Sequence, residues 1–417
     1  MVKILKVKTY NFLRWTEKWL KTDMVYFSRG GFWLTAGQMF SSLSAFLLSI
    51  AFANLLPKET YGTYKYVLSI ASILSIPTLS GMTTSLAQAI ASGSDGSFIP
   101  AVKARIKWGL LGALASLILA SYYFYQADTT LTISFLMAAV FLPFMDSFNS
   151  YEAILVGKKL FKTSTKYNII MKAAATIGMI STLYLTKNIF LIIFSYFILY
   201  TVLRFIFLQI TIYKIELNHQ QDPKTISYGK HLSLMNVIST AASQLDKILI
   251  FNYLGAIELG IYSFAIAMPE QIKGLLNNIQ TLALPKFTQS THRENRKTIL
   301  IKMLKFSVIV FPVVIIYIIT APYIFKLFFP QYLDAVFYSQ IFSLSLLTIP
   351  AGLPITFLQS QANTKKLWQL NLITPITQII VMFIGVYFYG LMGVIMARVI
   401  SRIINFILFV KMVEKNN

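Results

Sequence analysis

The sequence predicts an all-α polytopic membrane protein of about twelve transmembrane helices, arranged as two parallel six-helix repeats around a central cavity. Three observations predict it. Of the 417 residues, 56% are hydrophobic and 12% charged, and the mean hydropathy is +0.65, whereas a soluble chain carries about a quarter charged residues. Apolar stretches of the roughly 20 residues needed to cross a bilayer recur between short polar connections. The basic residues gather on alternate connections. Together these exclude an ordinary soluble enzyme.

The spans follow in order. A basic tail over 1–29, with Lys3, Lys6, Lys8, Arg14, Lys18, Lys21 and Arg29, precedes the first at 30–55, and Lys58 and Lys65 accompany the start of the second at 62–88. Lys103, Arg105 and Lys107 lead into the third at 107–127, and the fourth at 131–156 ends before Lys158, Lys159 and Lys162. Lys166 and Lys172 open the fifth at 166–186, which Lys187 divides from the sixth at 188–213. A linker over 216–229 leads to the seventh at 230–253 and the eighth at 260–285; the basic run from Lys286 to Lys305 precedes the ninth at 303–327. Lys326 stands before the tenth at 334–360, Lys365 and Lys366 before the eleventh at 366–388, and Lys411 ends the twelfth at 391–411. One set of connections holds 28 Lys and Arg and the other only four. The positive-inside rule therefore places both termini in the cytoplasm. The expected domains are the tail, a bundle over 30–215, the linker 216–229, a second bundle over 230–413 and a short tail over 414–417.

In the N-terminal tail Phe12, Trp15 and Trp19 stand at helical spacing among Lys and Arg, as in a helix lying on a membrane surface; the alternative is a disordered basic tail. No continuous apolar core marks a cleavable signal peptide there. The net charge of +22 is read as cytoplasmic loops rather than a nucleic-acid surface. The chain has no Cys, which excludes disulfides and thiol chemistry.

A repeat supports two halves. Residues 54–66, NLLPKETYGTYKY, and 252–264, NYLGAIELGIYSF, superimpose at a shift of 198: Asn54 on Asn252, Leu56 on Leu254, Gly62 on Gly260 and Tyr64 on Tyr262. At the same shift Arg204 meets Arg402 and Glu216 meets Glu414. Six spans is an even number, so both halves start on the same side, the plan of carriers that rock two bundles about a central cavity.

Ionisable side chains inside spans are functional candidates by default. The cations are Arg204, Lys247, Lys273, Arg398 and Arg402, and the acids Asp146, Asp246 and Glu270, with Glu152 near the end of the fourth span. Arg398, Arg402 and Lys273 fall near mid-membrane. The two arginines are four apart and project from one helix face, where two guanidinium forks suit a multivalent anion such as a pyrophosphate. Glu270 and Lys273 share a face and neutralise one another or form a site; Arg204 and Arg402 can alternatively reach lipid headgroups. Pro77, Pro143, Pro269, Pro312, Pro350, Pro354 and Pro375 interrupt spans and can kink them. No GxxxxGK[ST] phosphate loop occurs, and His219, His231 and His292 form no metal-binding pattern, so neither an ATPase, a cofactor nor a metal is expected. No catalytic triad assembles and no selectivity filter is visible, which disfavours an enzyme or a channel.

The stretches AFANLLPKETYGTYKYVLSIASIL at 51–74 and YLGAIELGIYSFAIAMPEQI at 253–272, above all the LG-x-x-E-L-G-x-Y pattern at 254–262, resemble the polysaccharide and O-antigen flippases of the multidrug, oligosaccharidyl-lipid and polysaccharide export superfamily. In span number and polarity the resemblance covers 30–413. It implies translocation of an undecaprenyl-diphosphate-linked oligosaccharide from the cytoplasmic to the outer leaflet of the bacterial inner membrane by alternating access. It also implies polysaccharide polymerase and glycosyltransferase partners, and no enzymatic activity. Arg398 and Arg402, assisted by Lys273, Arg204 and Lys247, would hold the diphosphate; Asp146, Asp246 and Glu270 are candidates for proton or sodium coupling. The alternatives are an ion-coupled multidrug extruder of the same superfamily and a non-transporting scaffold of a glycan-assembly complex. The first span lacks the acidic residue common among the extruders. Cell-wall precursor flippases resemble the chain in their cationic cavity but generally have two further spans.

Overall fold

The computed structural model describes residues 24–289, 296–352 and 364–414. Its elements are α1 (Met24–Leu55), α2 (Lys58–Leu74), α3 (Met82–Ala91), α4 (Phe98–Tyr125), α5 (Thr129–Phe148) and α6 (Tyr151–Gly157). They continue as α7 (Phe161–Leu185), α8 (Ile189–Lys214), α9 (Lys224–Leu254), α10 (Ala256–Gln289), α11 (Arg296–Phe328), α12 (Ala335–Ser343) and α13 (Thr364–Glu414). No strand occurs among the described residues. Among the described residues seven helices are long and apolar enough to cross a membrane by themselves, and α2 with α3, taken as one bent span, makes an eighth. The others depart for physical reasons. Charges inside α9 and α10 lower their apolarity, the described part of the tenth passage covers only Ala335–Ala351, and α13 is two passages joined at a reversal.

That reversal lies at Gly390, whose φ of 54° is left-handed. Behind it the chain folds back so tightly that a Cβ on Gly393 would lie 1.8 Å from the carbonyl oxygen of Gly385. Gly255, at φ 97°, turns α9 into α10 in the same way, and Gly390 lies against Leu254. Both hairpin turns therefore sit at one end of the bundle. The second span is bent by 46°. Pro77 lies in a 3₁₀ turn over Ile76–Thr78, followed by Leu79 at φ 60°, which breaks the helix between α2 and α3. Pro143 and Pro312, by contrast, lie inside unbroken helices. The expected surface helix at Phe12, Trp15 and Trp19, together with Pro354 and His292, lies outside the described residues.

The repeat is visible as reciprocal contact. A Cβ on Gly62 would meet the carbonyl oxygen of Ala256 at 1.8 Å, and one on Gly260 the carbonyl oxygen of Lys58 at 2.7 Å. Lys58 and Ala256 are equivalent at the shift of 198, as are the two glycines, so α2 and α10 meet as a pseudo-twofold pair, start beside start. Asn54 donates to the carbonyl of Ile50 at 2.8 Å and Asn252 to that of Ile248 at 2.9 Å, the same bond in each half.

Burial divides the molecule by depth. At the end bearing Gly255 one apolar core includes both halves, from Phe52, Tyr61 and Phe135 to Phe264, Tyr332 and Val394. At the opposite end each half keeps its own: Met82, Phe98, Tyr151 and Phe207 in one, Phe306, Val310, Val314 and Leu346 in the other. Polar contacts join the halves there, with the Gly81 amide donating to Ser233 Oγ at 3.0 Å and Ser85 Oγ to the Thr225 carbonyl at 2.6 Å. The outer faces of α4 and α11 expose Ile118 (70%), Val308 (71%) and their neighbours, an apolar girdle that a bilayer covers.

Candidate functional site

The hairpin geometry assembles the site. Asp246 lies nine residues before Gly255, Tyr262 seven after it and Arg398 eight after Gly390. At 1.5 Å per residue all three lie roughly 10–14 Å below the same end. Arg398 Nη1 donates to Asp246 Oδ2 at 2.5 Å and to the Tyr262 hydroxyl oxygen at 3.1 Å, while that hydroxyl donates to the same carboxylate at 2.5 Å. The Asp246 side chain is 0% exposed, so the carboxylate exchanges its hydration for these bonds.

One turn deeper lies a second layer. Arg402 binds Glu270 and donates to Ser345 Oγ at 2.7 Å. Glu270 also lies 3.4 Å from Lys273 Nζ and 3.5 Å from Arg398 Nη2. The Phe342 ring underlies both guanidinium groups, 5.5 Å from Arg398 and 4.9 Å from Arg402, a cation–π platform that orients them side by side. The Lys247 ammonium donates to Gln244 Oε1 at 2.7 Å, while only the Lys247 backbone amide donates to the neighbouring Asp246. Three basic side chains thus share two carboxylates, with the Lys247 ammonium a fourth cation beside them. The excess positive charge within α9, α10 and α13 can attract an anion and repels a cation.

The other half holds a separate set. Arg204 pairs with Asp146 at 2.8 Å, donates to the Met145 carbonyl at 2.9 Å and lies over the Tyr200 ring, as does Lys172. Arg204 makes no described contact with the arginines of α13. Lys65, inside α2 rather than in a connection, lies over Tyr61 and within electrostatic reach of Lys247 across the two halves. Arg105 lies inside α4 and is only 4% exposed. Its guanidinium donates to the Thr78 carbonyl (3.0 Å), Thr83 Oγ1 (3.2 Å) and Ser150 Oγ (2.9 Å), spanning the break in the second span.

Of the residues picked from the sequence, Arg398, Arg402, Lys273, Glu270 and Asp246 come together, with Lys247 beside them. Arg204 and Asp146 form their own pair. Asp146, Asp246 and Glu270 are each held by an arginine, and Glu152 accepts from Asn149 and Asn168 instead. Tyr262, Phe342 and Ser345 were absent from the sequence selection; only Tyr262 carried a signal, through the repeat. No group of three His, Cys, Asp or Glu suited to a metal occurs among the described residues.

The family of polysaccharide biosynthesis proteins matches residues 27–291. No curated protein matches the chain. Among solved structures it resembles the lipid II flippase MurJ in an inward closed conformation, at 16% identity and a TM-score of 0.73, over 94% of this chain and 88% of that one. It also resembles a multidrug resistance MATE transporter of the MOP superfamily, inward-facing at 12% identity and 0.65 (91% and 96% covered) and outward-facing at 13% and 0.63 (94% and 97% covered). At such identities the likeness is one of fold.

Proposed function

The chain belongs to the polysaccharide biosynthesis protein family, and from that premise we infer that it is a flippase for an undecaprenyl-diphosphate-linked oligosaccharide, such as an O-antigen repeat unit. It is a multi-pass membrane protein of flippase and transporter fold and not an enzyme. The observation that carries the cargo reading is the paired guanidinium platform at mid-span, where cations exceed carboxylates. Sugar and diphosphate cannot enter hydrocarbon without large desolvation cost, so a carrier must offer fixed charge in a shielded interior. Arg402 and Lys273 grip the diphosphate, Arg398 is positioned beside them by Asp246 and Tyr262, and the polyprenyl tail stays in the bilayer. Arg204 and Lys65 line the route from the other half.

On this reading both termini face the cytoplasm of a bacterium, as the basic connections support, and the Gly255 end faces the outer side of its inner membrane. The shared core then closes the outer end, and the polar contacts near Gly81 are the ones that part to admit cargo. Polymerase and glycosyltransferases are the expected partners. A drug extruder for organic cations is disfavoured by the sign of the site. Deletion of the gene tests the reading: lipid-linked oligosaccharide accumulates facing the cytoplasm and surface glycan disappears, whereas undiminished surface glycan without such accumulation overturns it.

A further inference from the structure

Three cations converge on one carboxylate. Glu270 binds Arg402 and lies 3.4 Å from Lys273 and 3.5 Å from Arg398. The two acids of the cluster are held differently. Asp246 is fully enclosed and takes bonds from Tyr262, Arg398 and the Lys247 amide, so moving it would strand a buried charge. Glu270 is 30% exposed and its partners are long, flexible side chains. It follows Pro269, which lacks the amide that would otherwise bond back along α10. Carboxylate and phosphate oxygens suit guanidinium forks alike. The groups that grip Glu270 are therefore those that would grip a diphosphate.

We propose that Glu270 is a resident counter-anion: it occupies the Arg402–Lys273 subsite while the carrier is empty, and the diphosphate of the cargo displaces it. This rests on the reading of the cluster as the diphosphate site. Two functions follow. The empty carrier reorients with its arginines neutralised, avoiding unpaired charge at mid-membrane. An entering anion must also outcompete a carboxylate already in place, which favours the doubly anionic diphosphate over lipids bearing one carboxylate. Glu270 then assists release by returning to its partners.

The test is binding of undecaprenyl diphosphate, without sugar, to the purified full-length protein in lipid nanodiscs. Glu270→Gln binds about tenfold more tightly than wild type, because apparent affinity scales with the fraction of time the cations are free. Glu270→Asp, which keeps the charge but shortens its reach, falls between; Arg402→Gln binds more weakly than wild type. Equal or weaker binding by Glu270→Gln, with affinity still lost in Arg402→Gln, overturns the counter-anion and leaves the diphosphate site standing. Wild type binding no better than folded Arg402→Gln removes the diphosphate reading itself. Failure of both Glu270 variants to fold, where Arg402→Gln folds, makes Glu270 a structural strut and also overturns the proposal.

Discussion

Arg398 and Arg402 occupy successive turns of one helix, yet their surroundings give them different work. Arg398 is tied to a carboxylate with no exposure and to the Tyr262 hydroxyl, whereas Arg402 binds the partly exposed Glu270 and a serine. Removing one partner of a buried pair costs about 3–5 kcal/mol, so Asp246→Asn should lower the thermal unfolding temperature of the purified protein markedly. Unfolding at the wild-type temperature would contradict the pinned role. Arg398→Glu sets a second carboxylate against Asp246 and should fail to fold, which makes Arg402 the cleaner probe of cargo. Although it assigned Lys65 and Arg105 to connections, the sequence showed most of the ionisable groups that lie inside spans, because apolar context makes them conspicuous. Their pairing was hidden: Asp246 and Lys247 are adjacent in sequence, but Asp246 finds its cation 152 residues later.

At the scale of the helix, the close approach of α2 to α10 depends on two residues with no side chain. Gly62→Ala would drive a methyl group into the Ala256 carbonyl, and overpacking of this kind costs about 1–3 kcal/mol or more. A fall in the thermal unfolding temperature of this variant, matched by Gly260→Ala, would support the twofold contact; wild-type stability in both would argue against it. Arg105 gives the second prediction at this scale. Arg105→Met leaves the Thr78 carbonyl and Ser150 hydroxyl without their donor, a loss of about 1–3 kcal/mol, measurable in the same melt. Span existence was legible from apolar runs of the right length. The break in the second span and the burial of Arg105 were not, because a basic residue near a span end reads as a loop residue whether its side chain points to water or inward.

For the whole molecule, the decisive contrast is one apolar core joining the halves at one end and two separate cores at the other. Separation at the Gly255 end must break this core together with the Lys58–Asp334 ion pair at 2.7 Å and the Asn54 bond to the Phe328 carbonyl at 3.0 Å. The natural absence of Cys makes this testable. Lys58→Cys with Asp334→Cys, bridged by a short thiol-reactive linker, should stop transport, and cleaving the linker should restore it. Undiminished transport after complete bridging would show that this end need not open. Two-half architecture was legible because a repeat and an even span count constrain topology; which end is closed depends on packing between distant spans and left no trace in local composition.

The most direct measurement of the central claim uses wild type and Arg402→Gln, both shown to be folded, in sealed vesicles with a fluorescent undecaprenyl-diphosphate oligosaccharide, scoring glycan newly exposed to an external cleaving reagent. The account predicts protein-dependent exposure that falls at least about tenfold in the variant, the order of one lost charge-assisted bond. Exposure no greater than in protein-free vesicles, or equal in the two proteins, would contradict it.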